Sequence, residues 1–536
     1  MNYQRDHKLT FKLYELLLKK PFQNKRELQR NLEDEGCKGI TTRDINQKLY
    51  KYSVLFEHGG ESLPVWFARP VAKETLSLLF SIKEQLELPV YYIGPEPRAW
   101  QKEAFESWKA AGCRGVIEAV TGTGKTTVGI LAAADAFDRG LKTLIVVPGI
   151  DLLEQWYEKL NENLRHLRIG RYGARYQDVM ENFDIVVATV QSASRYIMLS
   201  ENTSGLIIAD EVHRFGAETY QLALENEFTD RLGLTATFER DDKGLDTYLV
   251  PYFMPLDKNF HAECIIFKCN FSRGLTDKIL SNFRVGLIPV EFDENDMEDY
   301  FMYDEQLKKT RFRLIKIHGC PEEPYGEFMK HTTQLSKGGT DNFAATVDAR
   351  RYLDLFTKRR AILAETDGKL DAISLLQPII SASNGTLIFT ETITSAKSIA
   401  EDLSENGILA LDYTSDLKRE ERKFRLEAFR NGIIKVLIAP KILNEGVDLP
   451  EADVGIIVSA SRSRIQMIQR MGRIIRPKTD GRSATFFILF VKDTFEDPEM
   501  GAHGAFLGEM IDTADEVRSF PLVVSSQKLL KWFNRK

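Results

Sequence analysis

Cysteine is scarce in this chain of 536 residues: five thiols at Cys37, Cys113, Cys264, Cys269 and Cys320, an odd number without regular spacing. That scarcity argues against a disulfide framework and suits a reducing, cytoplasmic setting. His261, Cys264, Cys269, His318 and Cys320 match the spacing of no zinc finger or ribbon, so isolated buried thiols are expected there. Long hydrophobic runs are missing too. No stretch approaches the roughly 18 consecutive apolar residues of a spanning helix, and the opening MNYQRDHKLT lacks the apolar core of a signal peptide, so no membrane partner is expected. An excess of one charge is also lacking, with 72 Lys and Arg against 78 Asp and Glu for a net of −6. Any contact with nucleic acid must therefore come from local basic patches.

What remains is the composition of a soluble multidomain protein. A 43% hydrophobic, 28% charged and 10% aromatic chain can bury a core in each of several domains, and its length suggests roughly three to four of them. From about residue 114 to 240, short β-branched runs alternate with amphipathic stretches: GVIEAV, TTVGILAAADAF, TLIVVP, IDLLEQWYEKL, IVVAT and LIIADE. A second series begins near Gly385 with TLIFTE and SAKSIAEDL, then runs through KVLIAP and VGIIVSA to TFFILFV. Such alternation predicts two tandem α/β domains with helix-covered parallel sheets. Residues 261–350 differ in character and read as an inserted accessory region. Its acidic tract, with eight Asp and Glu between Glu291 and Glu305, reads as a solvated loop, with a phosphate-mimicking plug as the alternative. The basic residues Lys308, Lys309, Arg311, Arg313 and Lys316 that follow could line a nucleic-acid channel or simply a solvated helix face.

The first 70 residues form another unit. Three short helical patterns precede SVLFEHGGESLPVWFAR, two strands around a Gly-Gly turn, which is the order of a winged helix. Residues 1–50 hold eleven Lys and Arg against seven Asp and Glu, the sign needed for phosphate contact.

Chemistry concentrates where the strand GVIEAV runs into TGTGKTT and a helix. Gly122 and Gly124 permit the tight turn, and Thr121, Thr123, Lys125, Thr126 and Thr127 complete a loop whose N–H groups face phosphate. Lys125 can reach the β- and γ-phosphates of ATP, and Thr126 can offer its hydroxyl to Mg²⁺. The strict pattern wants glycine where this chain has Ala119. In LIIADEVH, Asp210 and Glu211 stand at the carboxyl end of an apolar strand, placed for metal holding and for water activation respectively.

Asp210-Glu211-Val212-His213, the run RLGLTATFER containing Thr235 and Thr237, and QRMGRIIRP from Gln469 together resemble the superfamily 2 helicases of DExH type over about residues 90–495. The likeness implies a fold of two RecA-like P-loop domains (91–260 and 351–500) with parallel sheets, a winged helix at 1–70, a linker at 71–90, the insertion and a tail at 501–536. It assigns Gln101 to the adenine, with Arg98 or Trp100 stacking. Pro148, Thr189, Gln191, Ser192 and Thr390 are assigned to the nucleic-acid strand, Gly446 and Asp448 to coupling strand and nucleotide, and His213, Thr235, Thr237 and Gln469 to communication between sites. Arg473 and Arg476, three apart on one helical face, can stabilise the charge that develops on the transferred phosphate. The branch containing the XPB-like, UvsW-like and type III restriction helicases is the most similar, which implies a DNA-directed motor moving 3′ to 5′ on duplex or branched substrates. The charge element after Thr237 is permuted here as Glu239, Arg240, Asp241 and Asp242. At the amino terminus, Asn46, Tyr50 and the wing tryptophan Trp66 resemble a Z-alpha-type winged helix, with Leu63 in place of a wing proline. A generic winged helix with Tyr50 and Trp66 in its core is the preferred expectation. An RNA-directed motor and a scaffold with a silent nucleotide site are the rival functions. Protein partners could dock through the winged helix or the insertion.

Overall fold

Runs of Val, Ile and Leu bounded by turn residues become the fully buried strands of two parallel sheets, as helices on both faces require. The computed structural model describes residues 3–34, 40–51, 55–59, 65–68, 88–199, 204–256, 263–338, 342–440, 452–459, 472, 474–475, 478, 483–500 and 512–534. The chain divides into two compact units: residues up to Phe238 with Asp246–Leu280 form most of the first, and Glu239–Leu245 with the chain from Ser281 form most of the second.

In the first unit, helices Tyr3–Lys19, Lys25–Asp34 and Thr42–Lys51 precede the antiparallel pair Phe56–Gly59 and Val65–Ala68. Reciprocal caps start the second and third helices. The Asn24 side chain accepts from the Glu27 N–H while Glu27 accepts from the Asn24 N–H, and Thr41 and Asp44 do the same. Leu13, Leu17, Leu28, Leu32, Ile45, Leu49, Phe56 and Trp66 share one core. Trp66, expected as a wing contact, is only 2% exposed and lies edge-on to His58, while Asn46 is 8% exposed. Trp66 is part of the core of this unit, and Asn46 is buried on helix Thr42–Lys51. The side chain of Tyr50 lies outside the described residues. Helix Thr42–Lys51 lies against the short helix Phe271–Thr276.

The eight-stranded sheet of this unit runs, edge to edge, Ile265–Cys269, Arg114–Ala119, Asp230–Thr235, Gly205–Asp210, Lys142–Val147, Ile185–Thr189, Ile169–Gly173 and Tyr176–Gln177. All neighbours are parallel except the last pair. This order sets the loop after Ala119, the Thr235 strand end and Asp210 side by side. The ends at Val147 and Thr189 fall on the far side of Asp210.

The second unit holds seven parallel strands in the order Ala410–Asp412, Val436–Pro440, Thr386–Thr390, Val454–Ile457, Ala484–Val491, Phe283–Val290 and Glu516–Ser519. Residues 261–350 are therefore not one accessory region. Ile265–Cys269 closes an edge of the first sheet, and Phe283–Val290 is built into the second. Helices Glu294–Lys316, Tyr325–Ser336 and Phe343–Glu365 share a further core of Leu307, Leu314, Phe328, Tyr352 and Leu355, while Tyr300 and Leu363 reach into the core of the second sheet. The tail likewise belongs to the sheet: Glu516–Ser519 pairs with Phe283–Val290, and Trp532 of helix Ser526–Phe533 is 2% exposed in the core.

The acidic tract is helix, not loop. Asp293 caps its start by accepting from the Asp296 N–H at 2.7 Å, and the carboxylates fill the amino-terminal half of Glu294–Lys316. Cations follow in the carboxyl-terminal half, so the charges complement the helix dipole. Lys308 pairs with Asp304 and Lys309 with Glu305, each at 2.8 Å and one turn apart. Among the described residues no helix is long and apolar enough to cross a membrane.

Candidate functional site

Glycine is required where the phosphate-facing loop meets its helix. Gly122 and Gly124 adopt φ of 89° and 91°, and Gly124 caps helix Lys125–Asp138. A Cβ on Gly124 would meet the Gln101 amide at 2.8 Å. That amide donates to the Gly124 carbonyl at 3.0 Å, while its oxygen accepts from the Arg98 N–H at 2.8 Å. Arg98 also donates to the Thr123 carbonyl at 3.1 Å. Gln101 and Arg98 thus brace the loop from behind. Trp100, by contrast, is fully buried and stacked with Phe267, so it is core and not a surface for a base. Thr123 donates to the Val120 carbonyl at 2.8 Å, and the Thr127 N–H donates to the Gly124 carbonyl at 3.2 Å. The hydroxyl of Thr121 and the ammonium of Lys125 are buried without a hydrogen-bond partner among the described residues. Buried donors in that condition are costly unless a ligand completes them. A triphosphate supplies the missing acceptors, and the half-buried Thr126 opens the same helix.

Across the sheet, the Asp210 carboxylate is held at both oxygens. The Trp156 indole N–H donates to Oδ2 at 2.8 Å, and the Glu211 N–H donates to Oδ1 at 3.0 Å. Burial, and then the neighbouring Glu211 charge, pushes the Asp210 pKa up to about 6. Glu211 goes the other way: burial opposes its ionisation, but Lys125, with Nζ 3.6 Å from Oε1, holds it below the usual carboxylate range. The two adjacent carboxylates are thus driven apart, Asp210 toward the protonated form and Glu211 toward the ionised one. Glu211 also sits at φ 50° and ψ 49°, a left-handed backbone for a side chain with a Cβ. Such strain persists where surrounding contacts dictate the geometry.

Beyond Glu211, His213 Nδ1 lies 3.6 Å from Glu211 Oε2 and 3.0 Å from Thr235 Oγ1. Thr235 gives its one hydroxyl proton to the Thr237 carbonyl at 2.7 Å, so the imidazole is the donor in the pair with Thr235. Lys125, Glu211, His213, Thr235 and Thr237 therefore form one continuous buried chain from the phosphate loop to the strand end.

On the other side of Asp210, Gln191 donates to the Pro148 carbonyl at 3.3 Å and Thr189 donates to Ser192 at 3.0 Å. The four residues expected at a strand-contacting surface are thus brought together, with Gln191 exposed. In the second unit Thr390 is fully buried and donates to the Thr392 carbonyl at 3.1 Å, a turn-forming role at a strand end. Gly446, Asp448, Gln469, Arg473 and Arg476 lie outside the described residues. Sequence inspection passed over Trp156 and Glu118. Trp156 approaches closely because Gly129 leaves no Cβ in its way, and Glu118 accepts from the Phe238 N–H at 2.9 Å, pinning the segment after Thr237.

This fold and site define a P-loop nucleotide hydrolase with two tandem RecA-like domains. Residues 94–240 match the family described as type III restriction enzyme, res subunit, and residues 370–478 match the helicase conserved C-terminal domain. Over these two segments the chain is similar to the helicase domains those families describe. It is 27% identical over 400 residues to the DNA 3′-5′ translocase XPB2 of Sulfurisphaera tokodaii, covering 74% of this chain and 82% of that protein. A DNA 3′-5′ helicase XPB of Mycobacterium tuberculosis is also 27% identical, over 76% of this chain, which spans 63% of that relative's length. Among solved structures, Saccharomyces cerevisiae Dbp5 bound to RNA and ADP BeF3 is similar in fold, with a TM-score of 0.50 and 14% identity over 87% of this chain and 98% of that one.

Proposed function

We propose that the chain is an ATP-dependent motor that tracks along DNA from 3′ to 5′ on duplex or branched substrates in the cytoplasm. Its ATPase rests on one observation above the others: an ammonium buried without a hydrogen-bond partner, Lys125, beside the strained, ionised carboxylate of Glu211. Lys125 binds the phosphates, and Glu211 takes a proton from the attacking water. Gln101 and Arg98 fix the loop and, in this reading, meet the adenine. Thr126 and Asp210 suit Mg²⁺, which would neutralise phosphate charge; a hydroxyl and one carboxylate, completed by phosphate and water, are what that ion prefers. Arg473 and Arg476 are assigned to the developing negative charge, Gln469 to communication between the sites, and Gly446 and Asp448 to coupling. His213 and Thr235 carry changes at Glu211 toward Thr237.

Likeness to two relatives named for 3′-5′ movement on DNA supports the choice of polymer and polarity. The grouping of Pro148, Thr189, Gln191 and Ser192 at the carboxyl ends of two neighbouring strands supports a strand-contacting surface. ATPase rates measured alone and with single-stranded DNA, duplex DNA or RNA test the reading, together with displacement of strands bearing 3′ or 5′ overhangs. DNA stimulation and displacement from 3′ overhangs are expected, and stimulation by RNA alone overturns the choice of DNA. Glu211→Gln should retain ATP yet lose turnover by orders of magnitude, and Lys125→Ala should weaken ATP binding itself.

A further inference from the structure

Immediately after Ser192 the chain makes a turn whose side chains point the wrong way for a folded core. Tyr196 is 60% exposed and Ile197 84% exposed, while the next two residues, Met198 and Leu199, are buried. The turn is held firmly. Glu225 accepts from the Met198 N–H at 2.7 Å through one oxygen and from the Leu199 N–H at 3.2 Å through the other. The Arg195 N–H donates to the Ser192 carbonyl at 3.1 Å, tying the turn to the segment that carries Thr189 and Gln191.

A second rigid element meets it. The hairpin Ile169–Gly173 and Tyr176–Gln177 places the Tyr172 ring edge-on to Tyr196, with centroids 5.7 Å apart and planes at 81°. The hairpin is braced by Arg171, whose guanidinium lies 4.0 Å from the centre of the Tyr157 ring and 3.8 Å from that of Tyr176. Arg171 also donates to Glu154 at 2.6 Å. Gly173 is required at the junction, because a Cβ there would meet the Thr189 hydroxyl at 2.6 Å.

The carboxylates of these elements are turned inward. Glu154 serves Arg171 and Tyr176, Asp178 accepts from the Arg171 N–H, and Glu225 clamps the backbone. Exposed charge at the hairpin tip and on the turn is positive, from Arg175 and Arg195. Two apolar side chains presented rigidly between cations, continuous with the Thr189–Ser192 surface, fit a polyanion whose flat apolar faces are available. That describes a nucleic-acid strand with unpaired bases.

We propose that Tyr196 and Ile197, buttressed by Tyr172, form a platform on which an unpaired base stacks, with Arg175 and Arg195 at the flanking phosphates. This rests on the nucleic-acid-motor reading above. The test uses the full chain, labelled oligothymidylate and a blunt duplex of equal length. Tyr196→Ala should weaken single-strand affinity about tenfold and raise the strand concentration for half-maximal ATPase by the same factor, with the saturating rate held. Blunt-duplex affinity should move less than twofold, and Tyr196→Phe should restore single-strand binding. In the unaltered chain, a strand carrying 4-thiothymidine should cross-link to the 195–197 turn. Unchanged single-strand affinity in Tyr196→Ala, equal losses on both polymers, or cross-links only elsewhere would overturn the platform. If no polymer stimulates the parent ATPase, the motor reading falls and takes the platform with it; if the parent responds and Tyr196→Ala matches it, only the platform falls.

Discussion

Trp156 and Asp210 are joined by an indole N–H to carboxylate hydrogen bond of 2.8 Å. Trp156 is 1% exposed, so this bond competes with no water, and it fixes the orientation of the Asp210 carboxylate. The partner comes from helix Ile150–Asn163.

Replacing Trp156 with Phe keeps most of the volume and deletes the donor. The Mg²⁺ concentration for half-maximal ATPase should rise roughly 10-fold, within the range seen when a ligand's outer partner is removed. A magnesium titration at saturating ATP, with a melting curve to confirm the fold, checks this.

The raised pKa of Asp210, about 6, carries a sign that can be tested. Without ligand, the folded chain binds this proton more tightly than the unfolded chain does. Asp210 therefore contributes stability at low pH that is lost as pH rises from the ordinary carboxylate range through about 6. Mg²⁺ requires the ionised form, so its affinity should increase over the same window and level off above it. Calorimetric titration on either side of pH about 6 should show this slope in the parent and a flat response in Asp210→Asn.

Trp66 yields an outcome opposite to that of an exposed wing residue. Since it fills the core shared by the three amino-terminal helices, Trp66→Ala should cost that core about 3–5 kcal/mol, whereas Trp66→Phe should cost less and leave DNA affinity unchanged. Thermal melting paired with a binding isotherm distinguishes the two. A large affinity loss in a fully folded Trp66→Phe variant would falsify the assignment to the core.

Lys369 and Glu496 form an ion pair of 2.7 Å at 1% and 2% side-chain exposure, with Ser459 3.3 Å from the ammonium. Burial pulls the Lys369 pKa down, and the adjacent Glu496 resists that pull. Lys369→Met strands a buried carboxylate and should destabilise the second unit by about 3–5 kcal/mol, while Lys369→Met with Glu496→Leu should recover most of the loss. A double-mutant cycle on denaturant midpoints measures it.

Local signals were legible in the sequence and long-range ones were not. The phosphate loop, the Asp210-Glu211 pair and the Thr189–Ser192 segment announce themselves because each is a strand end plus a few adjacent residues whose chemistry is fixed by type. The three amino-terminal helices were readable from their apolar spacing, and the second and third are started by the reciprocal caps Asn24-Glu27 and Thr41-Asp44. Phe283–Val290 was not. Its partner Ala484–Val491 lies some two hundred residues downstream, and nothing in its own eight residues states that pairing. The acidic tract misled because charge density suggests solvation, while the cap at Asp293 and cations one turn on favour a helix. Trp66 left two readings open, because a tryptophan after a Gly-Gly turn looks the same whether it faces solvent or core, and the core reading holds.

The placement of Phe283–Val290 bears on how the carboxyl-terminal half can be produced. A fragment cut at 351 and 500, where the motifs suggest a border, would lose both Phe283–Val290 and Glu516–Ser519. The eight residues ATFFILFV, seven of them apolar and all enclosed in the intact chain, would then line an open sheet margin with every second amide seeking a mate. Neighbouring molecules would supply it, so such a fragment is fated for inclusion bodies, whereas one beginning before Asn282 and reaching Asn534 keeps its margin closed.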